Sequence, residues 1–216
     1  MKNRTKVYVV DDHEVVRNGL SQYINESEDF VVVGGSGDSD VALREINAVE
    51  PDVIIMDITL KGISGIELTE VVLKRHSSIK VLMHSMHKDP VYIERSFRAG
   101  AIGYLSKDEP VENVIIGLKA VVNNNRYLNE ELQESLISIL LSVEGKNPMK
   151  ELTNREFEVF LRMGKGMDIN EIAEDLKINK KTVSTYRDRI KEKLGFKKSK
   201  DLLHFSFGWV SDYIHE

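Results

Sequence analysis

A chain of 216 residues has room for one large domain or two modest ones, and 41% hydrophobic with 30% charged residues is ordinary for a soluble globular protein. The absence of cysteine excludes disulfides and thiolate metal sites and suits a reducing cytosol. No apolar run reaches the roughly 20 residues of a membrane span, and the one near the basic start, about four residues long, is too short for a signal peptide.

Taken in chain order, strand-like runs fall near 6–10, 30–34, 52–56, 79–83 and 102–105. Helical patterns lie between and after them, near 13–26, 38–48, 65–75, 89–98 and 110–123. In the first helix Val16, Leu20, Tyr23 and Ile24 share one apolar face. Five β/α units imply a doubly wound, five-stranded parallel sheet with right-handed crossovers over residues 1–123. Pro51, Pro90 and Pro110 stand at candidate element starts, where proline is tolerated.

At NNNRYL the pattern breaks, and residues 124–150 read as a linker holding a short amphipathic helix with Leu132, Leu136, Ile139 and Leu140. From 151 to 216 the pattern is helical only, with four helices near 154–164, 169–176, 180–194 and 199–213. Thr153 with Glu156 and Asp168 with Glu171 fit the capping box, and Asn179 can cap the next helix. Ile172, Ala173 and Leu176, a polar turn and then Val183 fit a helix-turn-helix, so the second domain is a small all-α, four-helix unit.

Charge-bearing residues follow three of the strands: Asp11 and Asp12 after KVYVV, Asp57 after DVIIM, Lys107 after IGYLS. In a parallel sheet the carboxyl ends of the strands share one edge, where open α/β sheets place their sites. Three carboxylates and an ammonium gathered there have the composition of a divalent-metal site with a phosphoryl-accepting aspartate. Mg²⁺ (or Mn²⁺) would take Asp12 and Asp57 directly, Asp11 directly or through water, and the backbone carbonyl of Thr59. Asp57 is the candidate nucleophile, and Lys107 would neutralise the transferring oxygens. Ser85, ending the fourth strand, adds a hydroxyl. His84 and His87 read as a partly exposed pair rather than a metal site, and His13 as the start of the first helix.

VYVVDDHEVVRNGL, PDVIIMDITLKGISGIEL, KVLMHSMH and AGAIGYLSKD resemble the flavodoxin-like receiver domain of bacterial two-component response regulators. With LTNREFEVF and INEIAEDLKINKKTVSTYRDRIKEKLG, the chain is similar to the NarL/FixJ family with its LuxR-type helix-turn-helix, and the VSTY segment to the branch of virulence and adhesion regulators such as BvgA. The resemblance implies a transcription factor that takes phosphate from a sensor histidine kinase onto Asp57. It places Asp11 and Asp12 as the acidic pair, Ser85 as the hydroxyl that turns toward the phosphoryl group and Tyr104 as the aromatic switch. It implies a cytoplasmic homodimer when active, contacts with duplex DNA and RNA polymerase, no membrane association, and no enzyme activity beyond self-phosphorylation and slow self-dephosphorylation. Lys61 departs from the proline that many receivers carry four residues after the acceptor, which bears on the rigidity of that loop. Met86 beside Ser85 narrows access to it.

Two other classes share features of this chain. A metal-dependent phosphohydrolase would use Asp57 and Lys107, but such enzymes commonly have a second acid two residues after the nucleophile, where Thr59 stands. A receiver-gated interaction module would keep the helices without binding DNA.

The net charge of −5 conceals a basic stripe: residues 176–200 hold 10 Lys+Arg against 2 Asp+Glu, whereas residues 1–149 hold 16 against 23. On the third of the late helices Val183, Ile190 and Leu194 share one side, with Tyr186 beside them. Family-matched base-contact positions fall on Ser184, Thr185 and Asp188. Asp188 would accept from a cytosine amino group or orient a neighbouring arginine. Lys180, Lys181, Arg187, Arg189 and Lys191 would bind phosphates. The last helix, with Leu202, Leu203, Phe205, Phe207 and Trp209, has apolar surface to spare for a dimer contact.

Overall fold

The structure, a computed structural model, describes residues 4–134 and 148–213. The chain divides into two compact units, residues 1–142 and 143–216.

The first unit alternates strand and helix: β1 (Thr5–Val10), α1 (Glu14–Asn25), β2 (Phe30–Ser36), α2 (Ser39–Val49), β3 (Val53–Met56), α3 (Gly65–Arg75), β4 (Lys80–Ser85), α4 (Pro90–Arg98), β5 (Gly103–Ser106) and α5 (Glu112–Val122). The strands form one parallel sheet in the order β2-β1-β3-β4-β5. Alternate residues Val7, Val9, Val53, Ile55, Leu82 and Leu105 bury one face against Leu20 and Ile24 of α1 and Val114, Leu118 and Val121 of α5. Full burial of such an aliphatic side chain contributes about 1.5–3 kcal/mol, so this layer dominates the unit's stability. Both faces of the sheet are covered, which is why its strands read as continuous apolar runs rather than alternating ones.

Register decides where the site falls. Val10 pairs with Met56, Met56 with Met83 and Met83 with Tyr104, so the strands end nearly level. Asp11 and Asp57, next after Val10 and Met56, therefore emerge on one rim. Strand order reverses between β1 and β3, the point at which open α/β sheets place their ligands.

After α5, Asn124 takes a left-handed turn and the chain returns to the sheet edge. Tyr127 bridges Gly103 in parallel; its amide donates to the Ile102 carbonyl and its own carbonyl accepts from the Tyr104 amide at 2.8 Å. The start of the expected linker is thus bound to β5. The next helical turn begins at residue 130 and buries Leu132. Leu136, Ile139 and Leu140 of the expected linker helix lie outside the described residues.

The second unit opens with a short 3-10 turn, Pro148–Glu151, and continues as α6 (Asn154–Gly164), α7 (Ile169–Asp175), α8 (Lys180–Lys193) and α9 (Ser199–Tyr213). Both expected capping boxes form: Thr153 accepts from the Glu156 amide, Asp168 accepts from the Glu171 amide, and each glutamate reaches back to its cap's own amide. The Asn179 side chain accepts from the Thr182 amide. Trp209 meets Phe157 and Phe160 edge-on at 5.9 and 5.8 Å, which closes α9 onto α6. A Cβ on Gly164 would come within 2.5 Å of the Ser206 carbonyl, so only glycine permits this crossing. Among the described residues, no helix is long and apolar enough to cross a membrane.

Candidate functional site

The rim brings Asp11, Asp12, Asp57 and Lys107 together. Lys107 Nζ lies 2.8 Å from Asp57 Oδ2, as a hydrogen bond, and 2.7 Å from Asp11 Oδ2, as an ion pair. All three side chains are less than a tenth exposed. Single oxygens of Asp11, Asp12 and Asp57 and one His13 nitrogen lie within 4.8 Å of one another. Octahedral ligands about 2.1 Å from Mg²⁺ stand about 3–4.2 Å apart, so the carboxylates need to close by only a few tenths of an ångström to fit such an ion.

Burial pushes the Asp57 carboxyl up to about 6; Lys107 opposes this, and the neighbouring Asp11 and Asp12 add to it. Burial by itself would lower the Lys107 ammonium, but Asp57 and Asp11 outweigh it, and the group is held above its ordinary value. Without a metal, two buried acids compete for one ammonium. Added positive charge at the pocket relieves that competition.

The loops that hold the pocket carry contacts with no periodic signal. Arg17 Nη1 donates to the Asp11 carbonyl at 2.7 Å. At the start of α3 a Cβ on Gly65 would sit 1.8 Å from the Asp57 carbonyl oxygen, so any side chain there would displace the candidate nucleophile's backbone. The loop carrying Lys61 is fastened to the β2–α2 loop: Asp38 bridges Lys61, the Ser39 amide donates to the Lys61 carbonyl, and buried Ser39 Oγ accepts from the Ile63 amide at 3.2 Å. Lys61 in place of proline therefore leaves a held loop. Glu109 gathers three donors, the Ser106 amide, Asn113 and Asn129, and so joins the end of β5 to the chain beyond α5. Sequence reasoning missed all of these.

Ser85 ends β4, buried, with its Oγ accepting from the His87 amide at 3.3 Å. Tyr104 is fully buried, and its hydroxyl donates to the His87 carbonyl at 2.5 Å. A buried phenol needs an acceptor, and the His87 carbonyl supplies one. Burial holds this phenol well above its usual range. The expected exposed histidine pair is corrected for one member. His84 is buried, because β4 lies between β3 and β5 under helices, and burial with Lys107 nearby lowers it to about 4. His87 is half-buried, stacks on Tyr92 at 4.2 Å and has its Nε2 3.4 Å from the Thr59 hydroxyl. Met86 is 60% exposed beside Ser85.

In the second unit Val183 and Ile190 of α8 are fully buried, which turns the opposite face outward. Thr185, Asp188, Lys180, Lys181 and Arg189 are exposed, whereas Ser184, Arg187 and Lys191 are partly so. Ser184 and Thr185 hydroxyls donate to the Lys180 and Lys181 carbonyls. Asp188 pairs with Lys191 at 3.4 Å, since one helical turn brings Lys191 over it. Lys193 turns inward to Glu156 at 2.7 Å, so this basic residue serves the fold.

Residues 7–118 match the model of the response regulator receiver domain, and residues 150–206 that of the luxR family of bacterial regulatory proteins. Response regulator UvrY of Escherichia coli O6:H1 is 31% identical over 93% of this chain and 92% of its own. Oxygen regulatory protein NreC of Staphylococcus carnosus is 31% identical over 93% and 96%. The fold is similar to that of RcsB from Salmonella enterica serovar Typhimurium, solved bound to a promoter in the presence of a phosphomimetic, with TM-score 0.62, 23% identity and 94% and 98% of the chains covered.

Proposed function

The chain belongs to the response regulators that join a receiver domain to a luxR-family regulatory domain, and on that premise we propose that Asp57 is its phosphoryl acceptor and α8 its DNA-reading element. One observation carries the reading: Lys107 Nζ within 2.8 Å of both Asp57 and Asp11 at the carboxyl rim of the sheet. An Asp57 oxygen attacks the phosphorus of a sensor kinase's phosphohistidine; the P–N bond breaks, and the imidazole leaves and takes a proton. Asp12, Asp57 and the Thr59 carbonyl would hold Mg²⁺ (or Mn²⁺), with Asp11 bound directly or through water, and the ion would supply positive charge to the transferring oxygens. Lys107 changes partners from the Asp57 carboxylate to a phosphoryl oxygen. Phosphorylation adds about −1.5 to −2 charges and three acceptors, which favours a Ser85 hydroxyl turned toward the phosphoryl group. Tyr104 then keeps the space behind Ser85 filled, and the surface of β4–α4–β5 changes with it.

The output is duplex DNA bound by a homodimer in the cytoplasm, with recruitment of RNA polymerase as the effect. Lys180, Lys181, Arg187, Arg189 and Lys191 hold phosphates and set register, whereas Ser184, Thr185 and Asp188 face the base edges. The boundaries 1–123, 124–150 and 151–216 are the receiver, linker and reading domain of this reading. Its test is stoichiometry. With Mg²⁺ and a small phosphodonor, wild-type chain is expected to take up about one phosphoryl group and then stop. Sustained release of phosphate from varied phosphomonoesters would make it a hydrolase instead.

A further inference from the structure

On the premise that Asp57 accepts the phosphoryl group, we propose that Glu109 is a positioning residue for that transfer, which ties the turn carrying Lys107 to the chain beyond α5. The Lys107 ammonium sits at the end of a flexible four-carbon stem, so its aim depends on how firmly the backbone beneath it is held. That backbone is a tight turn. The Lys107 amide donates to the Ser85 carbonyl at 2.9 Å, and the Glu109 amide to the Ser106 carbonyl at 3.1 Å. The Asp108 amide donates to Ser106 Oγ at 3.3 Å. The Glu109 side chain then closes the turn, because its Oε1 accepts from the Ser106 amide at 3.1 Å. Main chain and side chain of Glu109 thus both grip the residue that precedes Lys107.

The same carboxylate reaches outward. Oε1 also accepts from Asn129 Nδ2 at 2.8 Å, and Oε2 from Asn113 Nδ2 at 2.9 Å. Hydrogen bonds to an ionised acceptor are roughly twice as strong as neutral ones, so this is a firm junction. Asn129 is itself fixed, since its Oδ1 accepts from the amide of buried Leu132 at 2.8 Å. Two residues earlier Tyr127 pairs with β5 and packs against the core shared by the sheet, α1 and α5. The anchor therefore lies outside the pocket, and none of these hydrogen bonds involves Asp11, Asp12 or Asp57. Coupling between two sites is reciprocal. An anchor that aids transfer to Asp57 must tighten when a phosphoryl mimic engages Lys107.

The test labels the full chain with acetyl phosphate and Mg²⁺. Glu109→Ala is expected to lower the labelling rate constant at saturating donor about tenfold or more, and Asn129→Ala about threefold. Glu109→Gln keeps an acceptor for Ser106 and Asn129 and should stay within about twofold of wild type. Mg²⁺ affinity, measured by calorimetry, should change by less than about twofold in all three, because the acids keep their places. In hydrogen exchange, beryllofluoride with Mg²⁺ should slow the wild-type peptide spanning residues 127–133 about threefold or more, and leave it unchanged in Glu109→Ala. A Glu109→Ala chain that labels at the wild-type rate, a rate loss matched by lost Mg²⁺ affinity, or a wild-type peptide indifferent to beryllofluoride would overturn the assignment. If Glu109→Ala fails to fold, Asn129→Ala, which leaves the Ser106 bond intact, decides by the same three readings. Labelling of wild type separates the two claims. A wild type that labels while its Glu109→Ala variant labels as fast loses only this inference, and a wild type that does not label loses the acceptor role of Asp57 as well.

Discussion

Asp11, Asp57 and Lys107 come from three loops far apart in sequence, and their side chains are 2%, 3% and 8% exposed. The candidate DNA contacts come from one helix of 14 residues and stand mostly in solvent, with the Asp188 side chain 75% exposed. The pocket is a set of charges placed by the fold and kept from water, where Asp57 and Lys107 are shifted in their proton affinities. The helix face is a set of side chains left exposed to solvent. Chemistry on a small group needs the first arrangement, because electrostatic terms grow where water is excluded. Reading a polyanion needs only sign and spacing. Changes in the pocket should therefore appear in stability and pH response, and changes on α8 in salt dependence.

The largest expected contrast comes from Lys107→Ala, which leaves two buried carboxylates without their ammonium. Loss of about 3–5 kcal/mol from the receiver's unfolding free energy at neutral pH is expected in urea titrations, partly restored by Mg²⁺. Arg189→Ala on exposed α8 should stay within about 0.5 kcal/mol in the same assay. Comparable losses from both would erase the distinction.

The pocket also predicts two opposed pH responses in the metal-free protein. His84 titrates near 4 when folded and 6.5 when free, so its contribution is present above 6.5 and is lost as pH falls toward 4. Asp57 is raised from 3.8 to about 6, so its contribution is fully present below 3.8 and is lost as pH rises through 6. Each amounts to about 3 kcal/mol at its limit, and between pH 6 and 4 they nearly cancel. Asp57→Asn should stabilise the metal-free receiver at pH 7.5 and make it newly acid-sensitive; His84→Asn should do the reverse at acid pH. Thermal melts at pH 7.5 and 4.5 check both signs.

On the helix side, Asp188→Ala should change preference at one base position by about 1–3 kcal/mol in competition binding with DNA pools. Arg187→Ala should weaken all sequences alike and reduce the salt slope by about one. The smallest effect, about 1 kcal/mol on the second unit's stability, is expected from Thr153→Ala, which removes one half of a capping box.

Legibility in the sequence follows the same divide. Strands and helices read to within a residue or two because apolar periodicity and capping residues are local signals. The acids after KVYVV and DVIIM read as a site because parallel strands end together. His84 was misplaced because it follows a buried run in a strand covered on both faces, where alternation gives no guide. Ser39 under the Lys61 loop, Arg17 on the Asp11 carbonyl, Gly65 against Asp57 and the Glu109 cluster were invisible, since each joins segments whose approach only the folded chain defines. The Asp188–Lys191 pair was legible, since a separation of three residues puts both on one helix face.

One peptide map tests the central claim most directly. After exposure to a small phosphodonor with Mg²⁺, the phosphoryl group is expected on the peptide that carries Asp57, and Asp57→Asn chain is expected to carry none. Undiminished label in Asp57→Asn, or label of the wild type on any other peptide, would contradict the account.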